Sequence, residues 1–370
     1  MKHNCPICRS QKFEILFESK NNSLARYGFL QNENSGSIVE NLNQKIAYCE
    51  HCNFGWNIDF EYSKVKYDSD QIIEAGYFSE RYVEYQKKSA LYLKKIMGFV
   101  PDTAVEIGAG AGIFLKAFDA KRKVAIEPSA EAAQIDKTIE IYNKYYSEND
   151  FNFQSDIVVM RQVLEHIKDP LEFLESLVRS FQKNDKFFIY IEVPNSMMTF
   201  RLGRFYDYYY EHCNYFTAKT FNVISEALNM RIVDLSTAMD GELISVLLTS
   251  EITTCSDLKS CLDLKRSTIL KKLKQNILEG KKIIAWGASG NGAQILNDLQ
   301  IQKSTIPFII DSDINKQGKF IPGTLQKIIS PQDAMKYSPD VVVIFTQFHK
   351  VEISVACEKL FNGAEIWVID

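Results

Sequence analysis

The sequence has no run of roughly eighteen apolar residues, and no apolar stretch follows its opening Met-Lys-His-Asn-Cys. A membrane span and a secretory signal are therefore not expected, and a cytoplasmic location is. Long basic runs are also missing. With 43 Lys and Arg against 47 Asp and Glu the net charge is −4, which leaves no footprint of a nucleic-acid phosphate binder. No fixed-period repeat and no low-complexity tract interrupts the 370 residues, which sets aside solenoids and disordered tails, and no protein partner is evident. What is present is ordinary for a globular chain, 46% apolar and 24% charged residues. At roughly 150 residues per domain the length fits two to three domains.

Eight cysteines are the unusual count. Four of them form two Cys-x-x-Cys pairs, Cys5 with Cys8 and Cys49 with Cys52, and the others (Cys213, Cys255, Cys261, Cys357) are scattered and expected to be ordinary reduced thiols. In a reducing compartment such pairs are metal ligands or redox groups before they are disulfides. Four thiolates close a tetrahedral zinc shell with no open position, so the expected role is structural. A redox dithiol is the alternative, weakened because neither pair opens a helix of a thioredoxin-like unit. His3 or His51 could replace a cysteine, but four cysteines suffice.

The first 70 residues show little helical periodicity and read as short strands and loops around that metal. A charged amphipathic helix is expected from Tyr77 to about Met97. From Thr103 to about Ser250, short apolar runs (104–107, 124–126, 139–141, 156–160, 187–191, 232–235, 243–248) alternate with helical stretches. This predicts an α/β, doubly wound parallel sheet. A basic helix, Leu258–Leu278, then opens a second and smaller α/β domain with runs at 281–286, 307–310, 341–345 and 365–369. The expected domains are 1–70, 71–252 and 253–370.

Glu106-Ile-Gly108-Ala-Gly110-Ala-Gly112 ends one expected strand and opens a helix. Glycines remove Cβ atoms where a nucleotide-like ligand must approach backbone, and the helix offers its amides. Glu127, at the end of the next strand, can accept from both hydroxyls of a ribose. A dinucleotide would satisfy this spacing. The Glu before the first glycine, and the lack of the pyrophosphate-type glycine spacing, favour the cationic S-adenosylmethionine. A tight turn without a ligand is the bland alternative.

Together with Asp156-Ile-Val-Val-Met-Arg-Gln-Val-Leu-Glu-His166, which places Arg161, Gln162, Glu165 and His166 after a buried strand, these motifs resemble the class I S-adenosylmethionine-dependent methyltransferase pattern over about residues 100–250. Farther on, Tyr209, Glu211 and His212 put a phenol, a carboxylate and an imidazole within four positions. Imidazole is a natural general base near neutral pH, a neighbouring carboxylate can orient it, and a phenol can donate to a developing enolate. An aromatic-rich loop with a merely hydrogen-bonded histidine is the alternative reading.

The order of zinc-type pairs, methyltransferase motifs, Tyr-x-Glu-His and a final α/β unit resembles the nucleotide-linked deoxysugar C-methyltransferases, which methylate C-3 of a 4-keto sugar. The match includes Ile283–Gly292, Phe308–Asp311, Lys316–Gly318, Pro322–Thr324 and Ser330-Pro331, so it spans essentially the whole chain. The resemblance implies that His212 is the base, that Tyr209 and Glu211 sit beside the reacting sugar, and that His166 and Tyr77 face the site. The segment around Tyr77 departs from the family's Tyr- and Ser-rich pattern. It implies cofactor contacts from Glu106, Gly108, Gly110, Gly112 and Glu127, with Tyr146 and Gln162 around the adenine.

The second glycine turn (Gly287, Ser289, Gly290, Asn291, Gly292) again joins a strand to a helix. It is expected to cradle the diphosphate of a nucleotide-sugar. An NAD site of a fused dehydrogenase or epimerase, and a purely structural remnant, are the competing readings. A non-enzymatic zinc-ribbon scaffold is a further one, disfavoured by the net acidity and by the Tyr209–His212 cluster. Methylation at oxygen or nitrogen would keep the same base and drop the ketone.

Overall fold

The computed structural model describes residues 4–20, 42–65, 79–151, 153–182, 186–251 and 255–369, and the chain divides into two units, Met1–Ile252 and Thr253–Asp370. In the first unit, β1 (Phe13–Ser19), β2 (Gln44–Cys49) and β3 (Phe54–Asn57) pair antiparallel. A two-residue strand from much later in the chain, β9 (Asn214–Tyr215), completes that sheet beside β3. The two cysteine pairs occupy turns of one shape. The Arg9 amide donates to the Cys5 carbonyl at 3.0 Å and the Asn53 amide to the Cys49 carbonyl at 2.8 Å. Arg9 and Asn53 both take positive φ, 60° and 56°, which asparagine adopts more readily than arginine.

The larger sheet of this unit comprises β4 (Thr103–Ile107), β5 (Arg122–Ile126), β6 (Glu140–Tyr142), β7 (Ile157–Arg161), β8 (Phe188–Pro194), β10 (Arg231–Ala238) and β11 (Leu243–Thr249). Its order is β10-β11-β8-β7-β4-β5-β6. Strands β4 to β8 are parallel, and every residue of β7 is buried, as expected for a sheet covered on both faces. The expectation of a parallel sheet needs correcting at one edge. Strand β11 runs antiparallel to both β8 and β10, because the four residues between β10 and β11 make a hairpin and cannot supply the long crossover of a parallel pair.

Helix α1 (Glu80–Met97) follows Ser79 and stops at Gly98, whose φ of 73° ends it. Gln86, Ala90, Leu93 and Met97 form its buried stripe, the spacing that puts one face on a sheet. Helices α2 (Ile113–Ala117), α3 (Pro170–Phe181), α4 (Ser196–Leu202) and α5 (Ala218–Ala227) are the further α-helices among the described residues of the unit. Pro170 opens α3, where its missing amide costs nothing.

The second unit begins with α6 (Cys255–Leu278) and continues through β12 (Ile283–Trp286), α7 (Asn291–Asp298), β13 (Phe308–Ile310), β14 (Lys327–Ile329), α8 (Pro331–Met335), β15 (Val341–Ile344), α9 (Lys350–Leu360) and β16 (Glu365–Val368). Its sheet is parallel throughout, in the order β14-β13-β12-β15-β16. The sequence reading did not anticipate β14, since three residues are too few to show a period. Among the described residues, no helix is long and apolar enough to cross a membrane.

Candidate functional site

The chain leaves β4 toward β5 on one side and later places β7 on the other, so the C-terminal ends of β4 and β7 flank a topological switch point, where open α/β sheets bind their ligands. The first glycine turn lies there. Gly108, Gly110 and Gly112 all have positive φ, 69°, 51° and 71°. A Cβ on Gly108 would stand 2.4 Å from Cγ2 of Val163, on the turn after β7. Backbone and side chain thus meet across the crevice at a distance only glycine permits.

The two expected cofactor carboxylates differ in their surroundings. Glu127 is tied to the turn, accepting from the Gly110 amide at 2.7 Å and the Ser129 amide at 2.8 Å. Glu106, 2% exposed, has one carboxylate oxygen without a hydrogen-bond partner. Burial pushes its pKa up to about 8, against the pull of Arg161. A buried oxygen without a donor, beside a turn that only glycine can form, fits a ligand that brings its own cation, as S-adenosylmethionine does.

Beneath this turn lies a polar network that was not anticipated. Arg161 at the end of β7 donates to Glu192 of β8 at 2.8 Å, to Gln86 of α1 at 2.8 Å and to the Tyr82 hydroxyl at 3.3 Å. Tyr85 donates to the other oxygen of Glu192 at 2.5 Å. Arg161 and Glu192 are 7% and 0% exposed. Burial works against the guanidinium's charge, but Glu192, Tyr82 and Glu106 outweigh it and hold its pKa above the ordinary value. Arg161 is the last residue of β7, and Glu192 lies opposite it in register on β8, two residues before that strand ends. Gln162, at φ 56°, donates to the Tyr82 hydroxyl at 2.5 Å and through its backbone to Glu192 at 2.7 Å.

The expected catalytic groups converge on the turn that follows β7. His166 closes a one-turn 3₁₀ helix, Leu164–His166, three residues after the Val163 that meets Gly108. Its ring lies edge to face with that of His212, centroids 4.7 Å apart, and Tyr209 lies edge to face with His212 at 5.4 Å. Nδ1 of His166 is 3.1 Å from the Glu211 carbonyl. A carbonyl only accepts, so this nitrogen carries the proton and Nε2 is the bare one. Burial pulls the His166 pKa down to about 4, against the contrary effect of that carbonyl. Asn214 fastens the two segments together by donating to the Ile167 carbonyl at 2.5 Å and the Leu164 carbonyl at 3.4 Å.

Tyr77 lies outside the described residues. Tyr146 sits in an aromatic cluster with Phe151, Phe173 and Phe181, its hydroxyl 2.7 Å from Ser180 Oγ and 3.1 Å from the Ser176 carbonyl on α3. The four expected metal ligands do come together. The Sγ atoms of Cys5, Cys8, Cys49 and Cys52 lie within 4.8 Å of one another, with 3.5 Å between Cys5 and Cys52 and between Cys8 and Cys49. Four ligands at the usual zinc–thiolate length of about 2.3 Å make a shell of this size.

In the second unit, a Cβ on Gly292 would fall 1.9 Å from the Gly287 carbonyl oxygen, and Gly287 and Gly290 have φ of 108° and 48°. Asp311 accepts from the Ala288 amide at 3.1 Å and from Lys316 at 3.1 Å, and Lys316 also donates to Ser289 at 2.9 Å. An ammonium is thereby held at the glycine turn, at the start of the helix that opens with Asn291.

Residues 77–235 match the family model of a methyltransferase domain, and residues 247–369 match that of a C-methyltransferase C-terminal domain. The C-methyltransferase NovU of Streptomyces niveus is 25% identical over 304 residues, covering 72% of each chain. Among solved structures, the plantazolicin methyltransferase BpumL, in complex with SAH, is 14% identical with a TM-score of 0.37, over 46% of this chain and 84% of that one. The N-methyltransferase NodS from Bradyrhizobium japonicum is 12% identical with a TM-score of 0.35, over 47% and 99%.

Proposed function

We propose that this chain, an S-adenosylmethionine-dependent methyltransferase with the C-terminal domain of the C-methyltransferases, methylates C-3 of a nucleotide-activated 4-keto deoxysugar with His212 as general base. The observation that carries the reading is the meeting of Tyr209, His212 and His166 on the turn after β7, the same turn that packs against Gly108.

Glu106, Gly108, Gly110, Gly112 and Glu127 hold the cofactor, which supplies an electrophilic methyl group on a sulfonium. The protein's part is to make and aim a nucleophile. His212 removes the proton from the carbon beside the ketone, and the electron pair spreads onto the ketone oxygen. Tyr209 donates a hydrogen bond to that oxygen as its charge grows. His166, neutral and protonated at Nδ1, faces the sugar and helps to fix its ring. The turn at Gly287, Ser289, Gly290, Asn291 and Gly292, with the Lys316 ammonium beside it, takes the diphosphate. Cys5, Cys8, Cys49 and Cys52 hold a structural zinc. The division into 1–70, 71–252 and 253–370 assigns these tasks in order, and a cytoplasmic location keeps the thiols reduced.

The test is mass spectrometry of nucleotide-linked keto-sugars incubated with the enzyme and isotope-labelled S-adenosylmethionine, followed by NMR to locate the added methyl. A methyl on carbon next to the ketone is the expected result. A methyl on oxygen or nitrogen would replace this reading with its alternative on a related phosphorylated metabolite, and no transfer to any keto-sugar would sink both.

A further inference from the structure

A base that forms an imidazolium needs an anion to steady it, and the carboxylate next to His212 in sequence is Glu211. The structure brings Glu211 to the site through its backbone carbonyl, which accepts from His166. A different carboxylate shares the space of the two imidazoles. Donor atoms of Glu165, His166 and His212 all lie within 4.8 Å of one another, a group that Glu211 does not join.

We propose that Glu165 is the positioning residue of the base: its carboxylate orients the His212 imidazole and stabilises the imidazolium formed when the substrate proton arrives. The proposal rests on the reading of His212 as the base. Three observations support it. Glu165 is 1% exposed, so a negative charge on it would be little screened by water and would act strongly on a neighbour. Its backbone is pinned on both sides, because Asn214 donates to the carbonyls of Leu164 and Ile167. The Cys213 thiol lies 3.5 Å from the carbonyl of Glu165 itself. The carboxylate and the imidazole are thus carried by two segments fastened to each other, which is what preorganisation requires. Among the described residues, the other titratable groups close by include Tyr82 on α1, Tyr209, His166, Glu211 and Cys213, with Lys168 and Asp169 farther along the same turn.

Removing the anion makes the imidazolium less stable, so the base weakens and titrates at lower pH. The experiment compares Glu165→Gln, Glu165→Asp, Glu211→Gln and His212→Ala on a nucleoside-diphosphate-linked 4-keto deoxysugar, recording kcat and KM across pH, with titration of S-adenosylhomocysteine to check folding. Glu165→Gln is expected to lower kcat by roughly 10- to 1000-fold with KM little changed, and to move the acidic limb of the profile down by about one pH unit. Glu165→Asp should move the limb the same way by less and, if the Gln variant does not fold, decides the matter alone. An unmoved limb in the Glu165 variants with His212→Ala inactive overturns the proposal and leaves the base in place. The same holds if Glu211→Gln moves the limb instead. Full turnover in His212→Ala overturns the reading beneath it as well.

Discussion

The rings of His166 and His212 stand nearly perpendicular, with centroids 4.7 Å apart, yet the two imidazoles are not equivalent. His166 donates a hydrogen bond from Nδ1 to the Glu211 carbonyl, and burial lowers its pKa to about 4. An imidazole of that pKa is a poor base toward a carbon acid, which is consistent with the proposed assignment of proton abstraction to His212.

Their substitutions should therefore separate. His212→Ala should lower kcat by about 10²- to 10⁴-fold without changing the affinity for S-adenosylhomocysteine. His166→Ala should act mainly on KM for the sugar. Because the folded chain keeps His166 neutral while the unfolded chain protonates it near pH 6.5, stability should fall as pH drops from about 6.5 toward 4. Urea unfolding over that range, with and without His166→Phe, measures the slope. An equal slope in both proteins would mean that His166 is not the group responsible.

Glu106 gives the opposite dependence. Its pKa of about 8, raised by burial, lies above that of an unfolded glutamate, so its contribution to stability is complete below about pH 4.5 and is lost as pH rises through 8. Binding of a cationic cofactor draws the proton off. Affinity for S-adenosylmethionine should rise with pH up to about 8 and then level, and calorimetry in buffers of different ionisation enthalpy should show a proton released at pH 7. Glu106→Gln should flatten both curves. Proton release persisting in that variant would assign the titration to another group.

At Gly108 two separate costs can be told apart. Gly108→Ala brings a Cβ to 2.4 Å from Val163 and forces alanine to a φ of 69°. The backbone cost is about 1–3 kcal/mol, and the steric cost comes in addition. The double variant Gly108→Ala/Val163→Ala should regain the steric part only. Thermal unfolding and S-adenosylhomocysteine titration of the single and double variants supply the comparison. Full recovery in the double variant would show that the left-handed backbone carries no cost here.

Much of this architecture was legible in the sequence because it repeats a local pattern. The runs at 104–107, 124–126 and 341–345 became β4, β5 and β15 within one or two residues, and the glycines of both turns showed where backbone must bend. The features that were not legible depend on contacts between distant segments. Strand β9 has two residues and exists because Gly55 and Trp56 pair with it. Tyr82 and Tyr85 looked like part of an amphipathic helix, and only the placement of α1 over Arg161 and Glu192 makes them site residues. Proximity in sequence offered Glu211 as the carboxylate beside His212. The 3₁₀ turn also brings a carboxylate oxygen of Glu165 within 4.8 Å of a ring nitrogen of His212, from 47 positions away.

The four cysteines were expected to be structural, and their sheet continues into the segment that follows Tyr209, Glu211 and His212. Asn214 and Tyr215 of β9 pair with Trp56 and Gly55 of β3, two residues from His212. Thr220 donates to the Cys52 carbonyl at 3.1 Å, and Thr217 to the Asn53 carbonyl at 3.2 Å. Anything that loosens the Cys49–Cys52 turn therefore loosens the strand holding His212, whereas the Gly108 turn is anchored by β4 and β5 in the other sheet. Stripping the proposed zinc with a strong chelator, or replacing Cys52 by Ser, should lower kcat at least tenfold while S-adenosylhomocysteine still binds. Hydrogen exchange should rise in 212–216 before it rises in 105–112. Simultaneous loss of cofactor binding and activity would mean that the two sheets unfold as one, and unchanged activity after complete metal removal would mean that the thiols hold the turn unaided.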